Sequence, residues 1–140
     1  MKDRRACSRL MAIVSIAVFA MVSMVSFVAG EEKPRAKVVK LDSAAGKHDT
    51  LLLSGPPETV TMRSGLVILE PGQTVGKHST GTHEEMLVIL EGQGTMLFKD
   101  GAKLEVDTNH ILYCPPDTEH DMMNTGAGAL RYVYVVASAK

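Results

Sequence analysis

The chain has 140 residues, 45% of them hydrophobic and 22% charged, with a formal net charge of −1. That is ordinary material for a single globular domain. Beyond the first thirty residues acids outnumber bases and Lys and Arg do not cluster, so the concentrated positive surface that phosphate contacts need is missing and no nucleic-acid partner is expected.

The first thirty residues differ from the rest. Lys2, Arg4, Arg5 and Arg9 precede an uncharged run from Leu10 to Gly30, which ends in Val28-Ala29-Gly30 and is followed by Glu31 and Glu32. A basic start, an apolar middle and a small-residue end make a secretory signal peptide, with cleavage expected after Gly30 and residues 31–140 forming one domain. The alternative is a retained anchor, because the run approaches the roughly 20 residues that cross a bilayer; membrane contact is expected only through this uncleaved segment. The expected location is therefore periplasmic or extracellular. Loss of four bases and one acid takes the charge from −1 to −4 and leaves Cys114 as the one remaining cysteine. No internal disulfide is then possible, and the thiol reads as a small buried hydrophobe.

Beyond the leader, a short extended piece is expected over Ala36–Leu41 and a strand over His48–Leu53, closed by Ser54-Gly55-Pro56-Pro57. Thr59–Leu69 is rich in β-branched residues and ends at the Glu70-Pro71-Gly72 turn. A short strand over Thr74–His78 leads through Ser79-Thr80-Gly81 to Glu85–Glu91, the strongest strand signal in the chain. Gly92-Gln93-Gly94 interrupts it, Thr95–Phe98 follows, and Lys99-Asp100-Gly101 forms a hairpin turn of the Asp-Gly type. Lys103–Val106, His110–Cys114, His120–Met123 and Ala129–Val136 complete the series. Short strands at regular spacing, with no sustained helical period after residue 30, define an all-β sandwich or barrel.

Period-two alternation sorts the side chains of the strongest strand. His83, Glu85, Leu87 and Ile89 share one face; Glu84, Met86, Val88 and Leu90 share the other. Both faces turn apolar after Glu85, so the strand is expected to be covered on both sides. One cover is the barrel interior, and the other is the N-terminal segment or a second subunit in a homodimer.

Histidines and a carboxylate converge in two stretches, Pro71–Gly94 and Asn109–Asn124. Imidazole and carboxylate together suit Fe, Mn, Ni, Cu or Zn better than Ca or Mg. The spacing resembles the cupin superfamily, whose first motif is written G-x5-H-x-H-x(3,4)-E-x6-G and whose second is G-x5-P-x-G-x2-H-x3-N. Gly72, His78, Glu85 and Gly92 fit the first; Pro115, His120 and Asn124 fit the second. The motifs thus lie at 72–92 and 109–124, within a resemblance covering roughly residues 62–136. It implies a double-stranded β-helix, the cupin jelly-roll barrel, with a divalent transition metal and a small-molecule ligand in its cavity.

Three positions depart from the motifs. Asn109 and Asp117 replace the two glycines of the second, and both residue types tolerate turn geometry. Thr80 stands where the second histidine of the first is expected, and a hydroxyl is a poor substitute for imidazole. His83 shares a face with Glu85, so strand parity suggests a metal site of His78, His83, Glu85 and His120; the alternative leaves His83 solvated at the turn. Glu84, on the opposite face, is assigned no catalytic part, and His110 and His48 are read as peripheral. Asn124 is expected to fix a turn, Met96, Met122 and Met123 to fill the core, and Tyr113 has no assigned side.

The resemblance implies dioxygenases, decarboxylases, isomerases and lyases as well as non-enzymatic binders. The preferred reading is a metal-dependent enzyme resembling the quercetin-dioxygenase type, with Glu85 as catalytic base. A binding module without turnover is the second reading, slightly favoured by Thr80. A storage role has no feature of its own in the sequence.

Overall fold

The computed structural model describes residues 33–41 and 48–139; the expected leader and its cleavage point lie outside these. The described residues contain nine strands and no helix: β1 (Asp49–Ser54), β2 (Arg63–Leu69), β3 (His78–Ser79), β4 (His83–Glu91), β5 (Gln93–Phe98), β6 (Lys103–Asp107), β7 (Ile111–Cys114), β8 (Glu119–Asn124) and β9 (Leu130–Ser138). They form a five-stranded sheet of order β1-β2-β9-β4-β7 and a four-stranded sheet of order β3-β8-β5-β6. All pairings are antiparallel, and strand neighbours such as β2 and β9 are far apart in sequence, as a rolled-up double sheet requires.

The facing surfaces make the core. Val67, Leu69, Leu87, Ile89, Leu112, Cys114, Leu130 and Tyr132 come from the larger sheet, and Met96, Val106 and Met122 from the smaller. The alternation read for β4 holds, because Glu85, Leu87 and Ile89 are buried while their neighbours are less so. The opposite face of the larger sheet is more open than expected among the described residues. Met86, Ile111 and Tyr113 are exposed there, and Val88 and Leu90 are half-buried. Tyr113 thus faces outward, where its hydroxyl donates to Glu84 at 3.1 Å. Met96 and Met122 are core residues, whereas Met123 is only half-buried.

Three expected elements differ. Residues 36–41 form no regular strand. The Thr59–Leu69 stretch enters the sheet only at Arg63, after a turn in which the Thr59 amide donates to Gly55. The Thr74–His78 strand shrinks to an isolated bridge at Thr74 and the two residues of β3. The cause is Gly76, whose φ of 88° leaves the extended region and breaks the ladder. Asn109 and Asp117 take positive φ values of 69° and 57°, so they serve the turns that glycine makes in the motif.

Candidate metal centre

β3 pairs with β8 so that His78 sits directly opposite His120. Glu85 approaches from the facing sheet, two residues into β4. One ligand atom from each of His78, Glu85 and His120 lies within 4.8 Å of the other two. Glu85 Oε2 is 3.1 Å from His120 Nε2 and 3.9 Å from His78 Nε2. Donors bound to one first-row ion at about 2.0–2.2 Å stand roughly 3–4 Å from each other, so the spacing fits such an ion.

The backbone orients both rings. His78 Nδ1 is 2.9 Å from the Gly76 carbonyl, and His120 Nδ1 is 3.1 Å from the Thr118 carbonyl. A carbonyl only accepts, so each Nδ1 carries the proton and each Nε2 keeps its lone pair for the centre. The Gly76 amide in turn donates to buried Asp121 at 3.0 Å. That contact secures the irregular segment from which His78 projects.

Charge collects at the Glu85–His120 pair. Burial alone would lower the His120 pKa. The hydrogen bond to Glu85, the Thr118 carbonyl and the charges of Glu85 and Asp121 outweigh it and raise the value. Beneath the centre, Cys114 pairs across the ladder with Glu85. Its thiol is pushed up to about 11 by burial and then by the Glu85 charge, which leaves it an inert part of the core.

Thr80 is buried but contributes nothing to the centre. Its hydroxyl donates to the Pro115 carbonyl at 2.8 Å and accepts from the Thr118 amide at 2.9 Å. It therefore ties the β3–β4 turn to the loop whose Thr118 carbonyl orients His120. His83 shares the Glu85 face, yet its Cα lies two residues, or about 7 Å, further along the strand. It is exposed, lines the same cavity, and stands outside the three-residue cluster, with Nδ1 3.5 Å from Thr82 Oγ1.

The remaining polar residues act elsewhere. Asn124 is 1% exposed; its amide donates to the Leu69 and Gly128 carbonyls at 2.8 Å each and its oxygen accepts from Gly126 at 2.9 Å. His110 is exposed and accepts the Asp107 amide at 2.8 Å, and His48 is exposed. The centre opens into a cavity of about 460 Å³, whose lining includes Arg63, His83, Tyr132 and Tyr134. Motif spacing did not single out Arg63 or the two tyrosines. Their inward parity on β2 and β9 is legible only when the pairing of those strands is known.

The model of the cupin domain family matches residues 65–136. No curated protein matches the chain. Among solved structures, a cupin family protein of Methanocaldococcus jannaschii with a double-stranded β-helix fold aligns at TM-score 0.61 and 20% identity, over 74% of this chain and 91% of that one. A Cupin 2 conserved barrel domain protein of Salinispora arenicola aligns at 0.63 and 19%, over 75% and 91%. A Bacillus halodurans protein aligns at 0.65 and 21%, over 76% and 84%.

Proposed function

The chain belongs to the cupin domain family, and from that premise we propose that it is a metal-dependent enzyme of oxygenase type acting on a small organic molecule. The observation that carries this is the orientation of the two imidazoles, which turn Nδ1 to backbone carbonyls and Nε2 toward Glu85. Such locking costs conformational freedom and creates an unpaired acceptor on each ring, which a cation repays. Two imidazoles and one carboxylate, with a cavity in front of them, are the donor set of non-haem iron oxygenases.

His78, Glu85 and His120 would hold the ion, which would polarise a substrate oxygen and, if redox-active, pass electrons to O₂. Glu85 would be the base: a carboxylate oxygen released from the ion can accept a proton from a substrate beside it. Val67, Val75 and Tyr132 supply apolar parts of the cavity wall. Export by the basic and apolar leader remains part of this proposal, and the apolar outer face of the larger sheet supports a homodimer. Among the described residues no helix is long and apolar enough to cross a membrane.

The test is elemental analysis of protein purified without chelators, followed by O₂ uptake with candidate substrates. The expected result is near-stoichiometric Fe, Mn, Ni, Cu or Zn, lost in His78→Ala and His120→Ala and kept in His83→Ala. Loss of metal in His83→Ala as well would make that residue the fourth ligand. A wild type that takes up no metal, even on reconstitution, would overturn the proposal. A second reading, ligand capture without turnover, is favoured by Thr80, whose hydroxyl is spent on the loop and leaves only three converging donors. Metal-loaded protein that binds ligands but consumes no O₂ would select it.

A further inference from the structure

The wall of the cavity facing the metal centre is built around one cation. Arg63 opens β2, is exposed and lines the cavity at its mouth. In register it sits opposite Val136, which sits opposite Glu85. Arg63 and Glu85 therefore lie in one row across the sheet, two strand spacings or about 10 Å apart at the backbone. No carboxylate of the described residues is within ion-pairing distance of Arg63; the ion pairs present involve other groups.

Tyr134 helps to place this cation. It pairs with Gly65, and a Cβ at Gly65 would stand 2.5 Å from the Tyr134 ring. The glycine thus lets the ring lie across β2, where Tyr134 and Arg63 line the same cavity. Burial raises the Tyr134 pKa, the Asp49 charge adds to this, and Arg63 acts in the opposite sense. The phenol therefore stays protonated at neutral pH. Asp49 and Glu85 bring two negative charges to the cavity and Arg63 one positive. A divalent ion reverses the balance and leaves the loaded cavity with a net positive charge.

We propose that Arg63, set by Tyr134 over Gly65, is an anion site that takes the carboxylate of a small organic acid whose other end reaches the metal. The separation suits an acid with an oxygen donor roughly three to five carbons from its carboxylate. A cavity of about 460 Å³ holds a molecule of that size. A planar guanidinium matches a carboxylate through two parallel hydrogen bonds, so Lys would not replace it. The inference rests on the metal-centre reading only for the far end of the ligand.

The probes are glutarate, which has a carboxylate at each end, and pentanoate, which has one on a chain of the same length. Calorimetric titration of metal-loaded protein is expected to show glutarate bound at least about tenfold more tightly. Arg63→Gln should reduce that preference to less than about twofold with metal content and thermal midpoint unchanged, and Tyr134→Phe should give an intermediate loss. Equal binding of the two acids by loaded wild type, or a preference that survives Arg63→Gln, would overturn the anion site and leave the metal centre standing. A protein that takes up no metal overturns the centre instead. In that protein, glutarate binding that disappears in Arg63→Gln still supports the anion site, and no glutarate binding overturns it.

Discussion

The two ends of β8 solve the same problem in opposite ways. His120 and Asn124 sit four residues apart on one face of the strand, and both are almost wholly buried. Asn124 finds a backbone partner for its oxygen and for both amide protons, tying the Leu69 end of β2 to the turn before β9. His120 finds a backbone partner for one nitrogen and turns the other toward a carboxylate and a second imidazole. One end is closed by satisfied polar groups. The other keeps donor atoms in reserve, and that difference separates a structural buried polar residue from a ligand.

The comparison can be broken most forcefully at the closed end. Asn124→Ala removes the donor to the Leu69 and Gly128 carbonyls and leaves the Gly126 amide with only the Gln93 carbonyl. The expected loss is about 3 kcal/mol of stability, or more than about 10 °C in Tm for a domain of this size. Thermal unfolding measures it, and metal content per folded molecule should not change. A loss of metal without a loss of stability would mean that the two ends are not separate.

Acid probes the open end. The His120 pKa is raised in the metal-free protein, so a proton there is favoured by folding. Its stabilisation is complete below the ordinary His range and fades as pH rises through the raised folded value. Metal competes for the same nitrogen and binds only the neutral ring. Metal affinity should therefore fall about tenfold for each pH unit below the His120 pKa, while the metal-free protein gains stability over the same window. Competition with a coloured chelator at pH 7.5 and 5.5 reads the first effect, and denaturant unfolding reads the second. Affinity that is flat with pH would remove His120 from the ligand set.

The smallest expected effect sharpens the comparison, because it touches the centre without touching a donor. Thr80→Val keeps the shape but removes the hydrogen bonds to Pro115 and Thr118. Loss of this support behind His120 should weaken metal binding by about tenfold, with Thr80→Ser restoring most of it. A variant with wild-type affinity would show that the loop holds its own position.

The strands were largely legible because each half-buried strand writes its two faces into alternate residues, as in β4. Turns were legible where residue type dictates φ, as at Asn109, Asp117 and Gly101. The extent of the Thr74–His78 strand was not, because whether Gly76 continues a ladder or leaves it depends on its φ. His78, Glu85 and His120 stood out by spacing. Parity placed His83 on the correct face but carries no information about distance along the strand. Thr80 was read as a deficit in the centre because its partners, Pro115 and Thr118, lie 35 and 38 residues away. Arg63 and Tyr134 fall outside any motif, and only the β2–β9 register brings them together.

The pairing of His78 with His120 also has a consequence in time. The two residues are 42 positions apart and meet across a two-residue strand. The centre cannot exist on a chain still being made or threaded, and closes only after β8 has been laid against β3. A site of two imidazoles and one carboxylate does not rank first-row metals in its own favour; supply does. Any ion it takes up would therefore reflect the metals on hand where the last strands come together.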